Sequence, residues 1–350
     1  MKKLVKFAGK VYYMSVSAGL RFSRRRLPGS NPEKNPEQLW KERHMEYILE
    51  TQGLTKIYGQ KAAVSDVNLH IPEGVIYGLI GRNGAGKTTI MRMISGLATP
   101  TKGSYSLFGK TGYAMGKELK NVGVLIESPG LYPRFSAYDN LKIKCLGMGI
   151  NPKGYVENVL ETVGLENVDR KKPAGSFSLG MRQRLGIGLA LVGEPKMLVL
   201  DEPINGLDPQ GIVEVRQALV RLRDERKISI MISSHILDEL SRVADCYGII
   251  NDGTLLDEFS AEELHKRSGQ FILIRTDDNE AALKALAPLE IRNITREADG
   301  ALRIDEQLDN TPAMAKAIVG AGIALRELSL NTISLEDYYL GVTEGGEHNG

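Results

Sequence analysis

A glycine-rich segment between an apolar run and a helical run constrains this chain more than any other feature. Gly81 to Thr89 reads Gly-Arg-Asn-Gly-Ala-Gly-Lys-Thr-Thr and directly follows the apolar run 75–80. This spacing is the P-loop pattern, in which glycines let the backbone curl so that amide groups point at phosphate oxygens. The N-terminus of the following helix adds partial positive charge at the same place. The segment therefore predicts a nucleotide phosphate site.

The side chains of this loop have separate expected roles. Lys87 supplies positive charge to the β- and γ-phosphates, and the Thr88 hydroxyl is placed to ligate Mg²⁺. The expected cofactors are a nucleoside triphosphate and Mg²⁺. The full nucleotide-binding set in the loop is Gly81, Asn83, Gly84, Ala85, Gly86, Lys87, Thr88 and Thr89.

Two adjacent acids follow a second apolar run. Residues 197–200 read Met-Leu-Val-Leu, and Asp201 and Glu202 come directly after them. In open α/β sheets, ligands bind at the carboxyl ends of the strands. Asp201 is expected to hold Mg²⁺ through water, and Glu202 to orient and polarise the attacking water as a general base. Without the P-loop, the same two acids would be read as a solvated turn.

Strand and helix patterns alternate from residue 45 to about residue 256. Strand-like runs lie at 46–50, 75–80, 197–200 and 228–232, with helical runs from residue 87 and at 237–242. Such alternation predicts an α/β fold with a mainly parallel sheet covered by helices on both faces. Residues 257–343 instead follow a β-α-β-β-α-β order, which predicts a small accessory α+β module before the tail 344–350.

The first 44 residues differ in charge from the rest. They carry eleven Lys and Arg and three acids, a net charge of +8, whereas the remainder carries −6. Three interpretations stay open: a mistaken start before Met45, a disordered basic arm, or an amphipathic anchor on anionic lipid. The acidic body argues against a broad nucleic-acid surface, which needs many basic contacts with phosphates.

Cysteine content and hydropathy indicate the cellular compartment of the chain. Cys145 and Cys246 are not part of any Cys/His cluster, which favours reduced thiols in the cytoplasm. The apolar stretch 11–20 is too short to span a membrane, for which about 20 residues are needed. Its length and the lysines before it fit the apolar core of a signal peptide, but a site that uses cytosolic nucleotide argues against secretion. If the protein acts at a membrane, a separate subunit must span that membrane.

In several ordered motifs, residues 47–256 strongly resemble the ABC transporter ATPase family. Phe177 to Leu185 stands where that family has its signature, usually Leu-Ser-Gly-Gly-Gln, and Asn205 to Pro209 matches its D-loop. His235 matches the switch histidine, and Tyr58 the aromatic residue that stacks on adenine. A lone histidine after a strand, or a lone tyrosine before a glycine, would otherwise be read as structural.

The resemblance implies a P-loop cassette with a parallel core, an antiparallel β edge and a helical subdomain at about 128–187. ATP and Mg²⁺ are the implied cofactors, and two cassettes sandwich two ATP molecules in the family. The implied catalytic residues are Glu202, His235 and Glu127. The implied metal ligands are Thr88, Asp201 and Glu127. The residues implied to act on the nucleotide of the other cassette are Ser178, Gly180 and Asp208.

Three positions depart from the usual family pattern. The signature has Leu179 for glycine and Met181 for glutamine, and Glu127 stands where the Q-loop carries glutamine. A carboxylate cannot donate as an amide does, but it can bind Mg²⁺ or orient water. These departures resemble the branch of bacitracin- and lantibiotic-type exporter ATPases. That branch implies export of, or immunity to, a peptide antibiotic or a similar amphipathic compound.

The implied partners are a second cassette, giving a homodimer, and a transmembrane permease; nucleic acid is not expected. The chain would then be cytoplasmic and peripheral on the inner face of the membrane. Residues 128–142 fall where the family contacts its permease, with Leu131, Tyr132 and Phe135 as apolar candidates for contact or for internal packing. Two alternatives remain open: a nucleotide-gated sensor that hardly hydrolyses ATP, and a soluble ABC protein acting on ribosomes or DNA.

Overall fold

The computed structural model describes residues 2–7, 10–15, 47–267, 270–297, 299–332 and 334–344. Residues 1–43 and 44–350 form two compact units. In the first unit, strands β1 (Lys2–Phe7) and β2 (Lys10–Ser15) pair as an antiparallel hairpin. The three interpretations of the basic extension fall mostly on residues outside the described ranges, and they stay predictions.

The second unit alternates strands and helices along most of its length. Its strands are β3 (Tyr47–Tyr58), β4 (Lys61–Val67), β5 (His70–Pro72), β6 (Ile76–Ile80), β7 (Lys102–Leu107), β8 (Val122–Leu125), β9 (Met197–Leu200), β10 (Ser229–Ser234), β11 (Cys246–Asn251), β12 (Thr254–Ser260), β13 (Gln270–Thr276), β14 (Ile294–Arg296), β15 (Leu302–Ile304) and β16 (Leu325–Thr332). Its helices are α1 (Lys87–Ile94), α2 (Gly112–Glu118), α3 (Ala137–Gly147), α4 (Tyr155–Thr162), α5 (Leu179–Leu191), α6 (Pro209–Arg226), α7 (Leu237–Ser241), α8 (Ala261–Arg267), α9 (Asn279–Leu286), α10 (Thr311–Gly320) and α11 (Leu335–Glu344).

A six-stranded sheet forms the centre of the second unit, in the order β12-β11-β6-β10-β9-β8. The five strands from β11 to β8 are parallel, and only the edge strand β12 is antiparallel. Every residue of β6, β9 and β10 is buried. Burial on both faces explains why β6 and β9 are continuous apolar runs rather than alternating ones. The predicted parallel core is confirmed.

A second, antiparallel sheet is built around the long strand β3. This strand pairs with β4, β5 and β7, so that one twelve-residue strand organises the whole sheet. β3 has register shifts against each of these partners, which break its strict alternation of buried and exposed side chains. This sheet is the antiparallel β edge expected for the fold class.

Helices α3, α4 and α5 lie between β8 and β9 in the chain, in the range predicted as a helical subdomain. The Ser136 hydroxyl accepts a hydrogen bond from the Asp139 amide (3.1 Å) and caps α3. Ser178 caps α5 in the same way through the Met181 amide (3.2 Å). Such caps satisfy amide groups that have no partner within the helix. The apolar faces of the three helices share one core with the large sheet.

Residues 270–332 form a four-stranded antiparallel sheet in the order β14-β15-β13-β16, with α9 and α10 packed on its core face. This matches the predicted β-α-β-β-α-β order, and the sheet has its own small apolar core. The predicted domain limit after residue 256 falls inside β12, which belongs to the large sheet. The division into domains therefore remains a proposal.

Within the described residues, no helix is both long and apolar enough to cross a membrane.

Candidate nucleotide site

Four adjacent strands of the large sheet deliver the candidate residues to one edge. The P-loop follows β6, His235 follows β10, the acid pair follows β9, and Glu127 lies two residues beyond β8. Since these strands are neighbours in the order β6-β10-β9-β8 and all run parallel, their carboxyl ends lie side by side. The sheet therefore brings together residues as far apart in the sequence as Gly81 and His235.

The P-loop wraps around the ammonium group of Lys87. Lys87 is 5% exposed, and its Nζ donates to the Gly81 carbonyl at 2.6 Å and to the Arg82 carbonyl at 3.3 Å. Gly86 has φ +110°, and a Cβ there would lie 2.7 Å from the Ala63 carbonyl oxygen of β4. Only glycine fits this position, so the loop is held open as a cradle of backbone amides.

Asp201 lies at the centre of a hydrogen-bonded group behind this loop. Its Oδ2 accepts from the Thr88 hydroxyl at 2.7 Å, and its Oδ1 accepts from the Ser233 hydroxyl at 2.6 Å. The Ser233 oxygen in turn accepts from the Glu202 amide at 2.8 Å. A hydroxyl and a carboxylate side by side are oxygen ligands of the type that Mg²⁺ prefers.

Glu202 lies between a lysine and a histidine. Its Oε1 is 3.3 Å from the Lys87 Nζ, and its Oε2 is 2.8 Å from the His235 Nδ1. Oε1 is buried and makes no hydrogen bond to any group that the structure describes. Glu202 also has φ +49°, a left-handed conformation that costs a non-glycine residue about 1–3 kcal/mol. The fold thus holds this carboxylate in place, with Oε1 in an ion pair with Lys87 and Oε2 against the His235 ring.

Glu127 pairs with a residue from the P-loop helix. The Arg92 guanidinium of α1 donates to the Glu127 carboxylate, and both side chains are partly exposed. Glu127 has φ +66°, so it shares the left-handed backbone of Glu202. Its carboxylate pairs with Arg92 rather than with Thr88 or Asp201, so the role predicted for Glu127 at the metal stays a prediction.

Tyr58 lies at the tip of the hairpin between β3 and β4. It is 49% exposed, and the Lys56 Nζ lies 5.1 Å from its ring centre. β4 passes directly beside the P-loop, because the Ala63 carbonyl faces Gly86. An exposed ring at this place is available for stacking on a flat base.

The signature and the D-loop each begin a helix. The Ser178 hydroxyl caps α5, and an Asp208 carboxylate oxygen caps α6 by accepting from the Gly211 amide at 3.1 Å. Gly180 is buried against Gly211 and Leu207, so the two motifs contact each other. Leu179 is 42% exposed on the same surface.

Ser233 and Arg92 belong to this site, although the motifs do not single them out. Ser233 had a weak signal in the sequence, because a polar residue ends an apolar strand just before the histidine. Arg92 had no such signal, since one basic residue in a helix is usually a solvated side chain. Their partners became apparent only from the positions of β9, β10 and α1.

Comparisons with known proteins agree with this geometry. A family model described as ABC transporter matches residues 64–205. The chain is 41% identical over 304 residues to the bacitracin transport ATP-binding protein BcrA of Bacillus licheniformis, covering 86% of this chain and 99% of that protein. It is 44% identical over 211 residues to the lantibiotic transport ATP-binding protein SrtF of Streptococcus pyogenes, covering 60% and 90%.

A solved structure shows the same fold. It is cbiO1 of Clostridium perfringens, part of the ABC transporter complex cbiONQ, with a TM-score of 0.58 and 26% identity over 70% of this chain and 96% of that one. The resemblance predicted from the motifs is confirmed over far more than the motifs themselves. With 41% identity along nearly the whole of BcrA, the chain belongs to the family of ABC transporter ATP-binding subunits, which are P-loop ATPases.

Proposed function

We propose that this chain is the ATP-hydrolysing motor that powers export of, or resistance to, a peptide antibiotic or a similar amphipathic compound through a separate membrane permease. The observation that carries the proposal is the position of Glu202, whose Oε1 lies 3.3 Å from the Lys87 Nζ and whose Oε2 lies 2.8 Å from the His235 Nδ1. The cargo class is supported by the similarity to BcrA, a bacitracin transport ATP-binding protein, and to SrtF, a lantibiotic transport ATP-binding protein. The chain would work at the inner face of the cytoplasmic membrane.

The phosphate site suggests one task for each residue. Lys87 neutralises phosphate charge and the amides of residues 83–88 hold the phosphate oxygens. Glu202 orients the attacking water and accepts its proton. His235 hydrogen-bonds the γ-phosphate and helps to hold that water. Thr88 and Asp201 would hold Mg²⁺, whose bound charge would offset that of the phosphates. Tyr58 stacks on the base.

The exposed signature surface is proposed to bind the nucleotide of a second copy. Ser178 and Asp208 are exposed at the first turns of α5 and α6, where helix N-termini favour anions. Each of these side chains already caps its own helix, so its position is fixed before a second copy arrives. Gly180 lets the two helices approach closely.

A groove between the helical subdomain and strand β8 is proposed to receive the permease. Its volume is about 810 Å³, and its charged lining within the described chain consists of Lys120 and Lys144. Exposed apolar side chains border it, including Leu97 and Tyr132. An exposed apolar groove of this kind is typical of a protein-binding site. The lining residues on either side of Glu127 connect the groove to the nucleotide site.

The three apolar candidates of the helical subdomain differ in their surroundings. Tyr132 and Phe135 are about half exposed and contact each other edge to face, with ring centres 5.9 Å apart. Leu131 is partly buried and packs against the main core. Contact with the permease is therefore proposed for Tyr132 and Phe135, and packing for Leu131.

The test is ATP hydrolysis by the purified chain, alone and with permease-containing membranes of its host. We expect Glu202→Gln to lower kcat by about 100-fold or more, because the amide cannot take a proton from water. ATP affinity should stay unchanged. Glu194→Gln, an exposed change before the amino end of β9 and so on the edge of the sheet opposite Glu202, is the matched control.

Two results would contradict the proposal. Normal turnover by Glu202→Gln would exclude this residue as the base. Tight ATP binding without turnover in the unmodified chain, with or without membranes, would favour the nucleotide-gated sensor instead.

A further inference from the structure

Helix α11 follows the C-terminal sheet in the chain, but none of its described side chains belongs to the apolar core of that sheet. α11 instead contacts α7 and β12 of the cassette. Its Leu335 and Tyr339 are 4% and 7% exposed and belong to the same apolar core as the large sheet. The small core of residues 270–332 contains neither of them. This C-terminal helix thus packs into the apolar core of the cassette.

Polar and aromatic contacts fix the position of α11. The Tyr338 hydroxyl donates to an Asp257 carboxylate oxygen of β12 at 2.6 Å, and its ring packs edge to face on Phe259 with centres 4.9 Å apart. Ser334 caps the helix, since its hydroxyl accepts from the Asp337 amide at 3.1 Å. One residue separates this cap from the end of β16. A displacement of the module's sheet must therefore shift the start of α11.

The helix that α11 contacts begins two residues after His235. α7 starts at Leu237, and Ile236 is its N-cap residue, bound through its amide to the Ser234 hydroxyl at 2.9 Å. α7 has only five residues, so tertiary packing rather than its own hydrogen bonds keeps it helical. Its Leu240 is fully buried against Gly78 of β6, the strand that carries the P-loop.

We propose that α11 is a positioning element for His235, and that the C-terminal module controls ATP turnover through it. Leu335 and Tyr339 hold α7 against β6, and α7 holds the backbone of His235 opposite Glu202. Neither α11 residue touches the nucleotide site, so their effect is on the rate of the chemical step rather than on ATP binding. The inference rests on the proposed role of His235.

The test compares full-length chains that differ at one residue of α11. Tyr339→Ala is expected to lower kcat about tenfold, since small misplacements far from the chemistry have effects of that order or larger. Affinity for a fluorescent ATP analogue should not change, because Lys87 and Tyr58 are untouched. Hydrogen exchange should become faster in residues 235–243. Leu340→Ala, on the exposed side of the same helix, is the matched control and should change none of these.

A conservative variant separates positioning from a chemical role of the hydroxyl. The Tyr339 hydroxyl is buried without a hydrogen-bond partner among the described residues, so Tyr339→Phe keeps all of the packing. We expect Tyr339→Phe to restore kcat and slow exchange. Leu335→Val, a smaller change at the same contact, gives the same test where the alanine variant does not fold.

The pathway is tested by combining Tyr339→Ala with His235→Ala. If α11 acts through His235, adding Tyr339→Ala to the His235→Ala variant causes no further loss of kcat, because the imidazole that α11 positions is already gone. Equal losses in both backgrounds would overturn the inference, and so would a normal kcat for Tyr339→Ala. A normal kcat for His235→Ala alone would instead refute the proposed function of the histidine.

Discussion

Ser233 joins two functional groups through a single hydroxyl. Its hydroxyl donates to Asp201 and accepts from the Glu202 amide. Ser233 therefore fixes both acids relative to β10, the strand that His235 follows. It is fully buried, and water is therefore a poor substitute for it. This makes Ser233 a support for both the proposed metal ligand Asp201 and the proposed base Glu202.

Ser233→Ala should lower both stability and rate. Losing the hydroxyl leaves the Glu202 amide unsatisfied, which costs about 1–3 kcal/mol, and frees Asp201 and Glu202 to move. We expect kcat to fall about tenfold or more. Ser229→Ala is the matched control: it lies in the same strand, is equally buried, and accepts from the Gly74 amide at 2.7 Å. It should lose similar stability in urea unfolding and keep its kcat; equal kcat in both variants would contradict this role.

The ion pair between Arg92 and Glu127 makes a different prediction. Both side chains are partly exposed, so Arg92→Gln should change the free energy of unfolding by less than about 1 kcal/mol. If Glu127 serves the metal, freeing it from Arg92 should lower the Mg²⁺ concentration needed for half-maximal ATPase activity by about 2- to 5-fold. In a Glu127→Gln background the shift should disappear. An unchanged Mg²⁺ requirement in Arg92→Gln would count against Glu127 as a ligand.

At the scale of elements, the contact between α7 and β6 depends on the absence of one side chain. A Cβ on Gly78 would lie 2.6 Å from the Leu240 Cδ2, and Leu240 is buried on all sides. The glycine therefore sets how closely α7 can approach the sheet, and with it the height of His235 above the P-loop strand.

Gly78→Ala should destabilise the fold by about 1–3 kcal/mol through overpacking. Gly116→Ala is the opposite case, because nothing lies within 4 Å of the added carbon and the residue is helical. It should stabilise the chain by up to about 1 kcal/mol. Denaturant unfolding of the two variants checks the signs, and a neutral Gly78→Ala would show that α7 is free to move away.

At the scale of the whole molecule, the two cysteines report on global folding. Both are buried. Burial, followed by the nearby charges of Asp245, Glu258 and Glu263, raises the pKa of the Cys246 thiol from 9.0 to about 12. At neutral pH this thiol is protonated and closed to reagents, so it should react only after unfolding.

The raised pKa of Cys246 also predicts a loss of stability in alkali. The unfolded thiol ionises first, so its contribution is complete below pH 9 and declines as the pH rises toward 12, by about 1 kcal/mol at pH 10. Cys246→Ala lacks this group and should lose less stability between pH 8 and pH 10 in urea unfolding. The same decline in both proteins would assign the alkaline effect to other groups, such as Tyr247, whose pKa burial also raises to about 12.

The order and chemistry of the motifs were predictable from the sequence. Gly81 to Thr89 and the pair Asp201 and Glu202 each carry a local pattern, because a loop that binds phosphate needs glycines and a strand end needs a turn. The parallel core followed from fully apolar runs, and these expectations of fold class were confirmed. The limits of the domains were less predictable, since β12 continues the large sheet beyond residue 256.

The sequence by itself determined that this chain is a P-loop ATPase of the ABC type, because each motif consists of residues that are close together in the chain. Only the tertiary structure decided how those motifs meet. β10 inserts between β6 and β9, which puts His235 beside Glu202 and lets Ser233 bridge the acids. The tertiary structure also decided that α11 packs against α7 of the cassette. Such contacts depend on strand order and on apolar packing between distant segments, and no local spacing of residues encodes them.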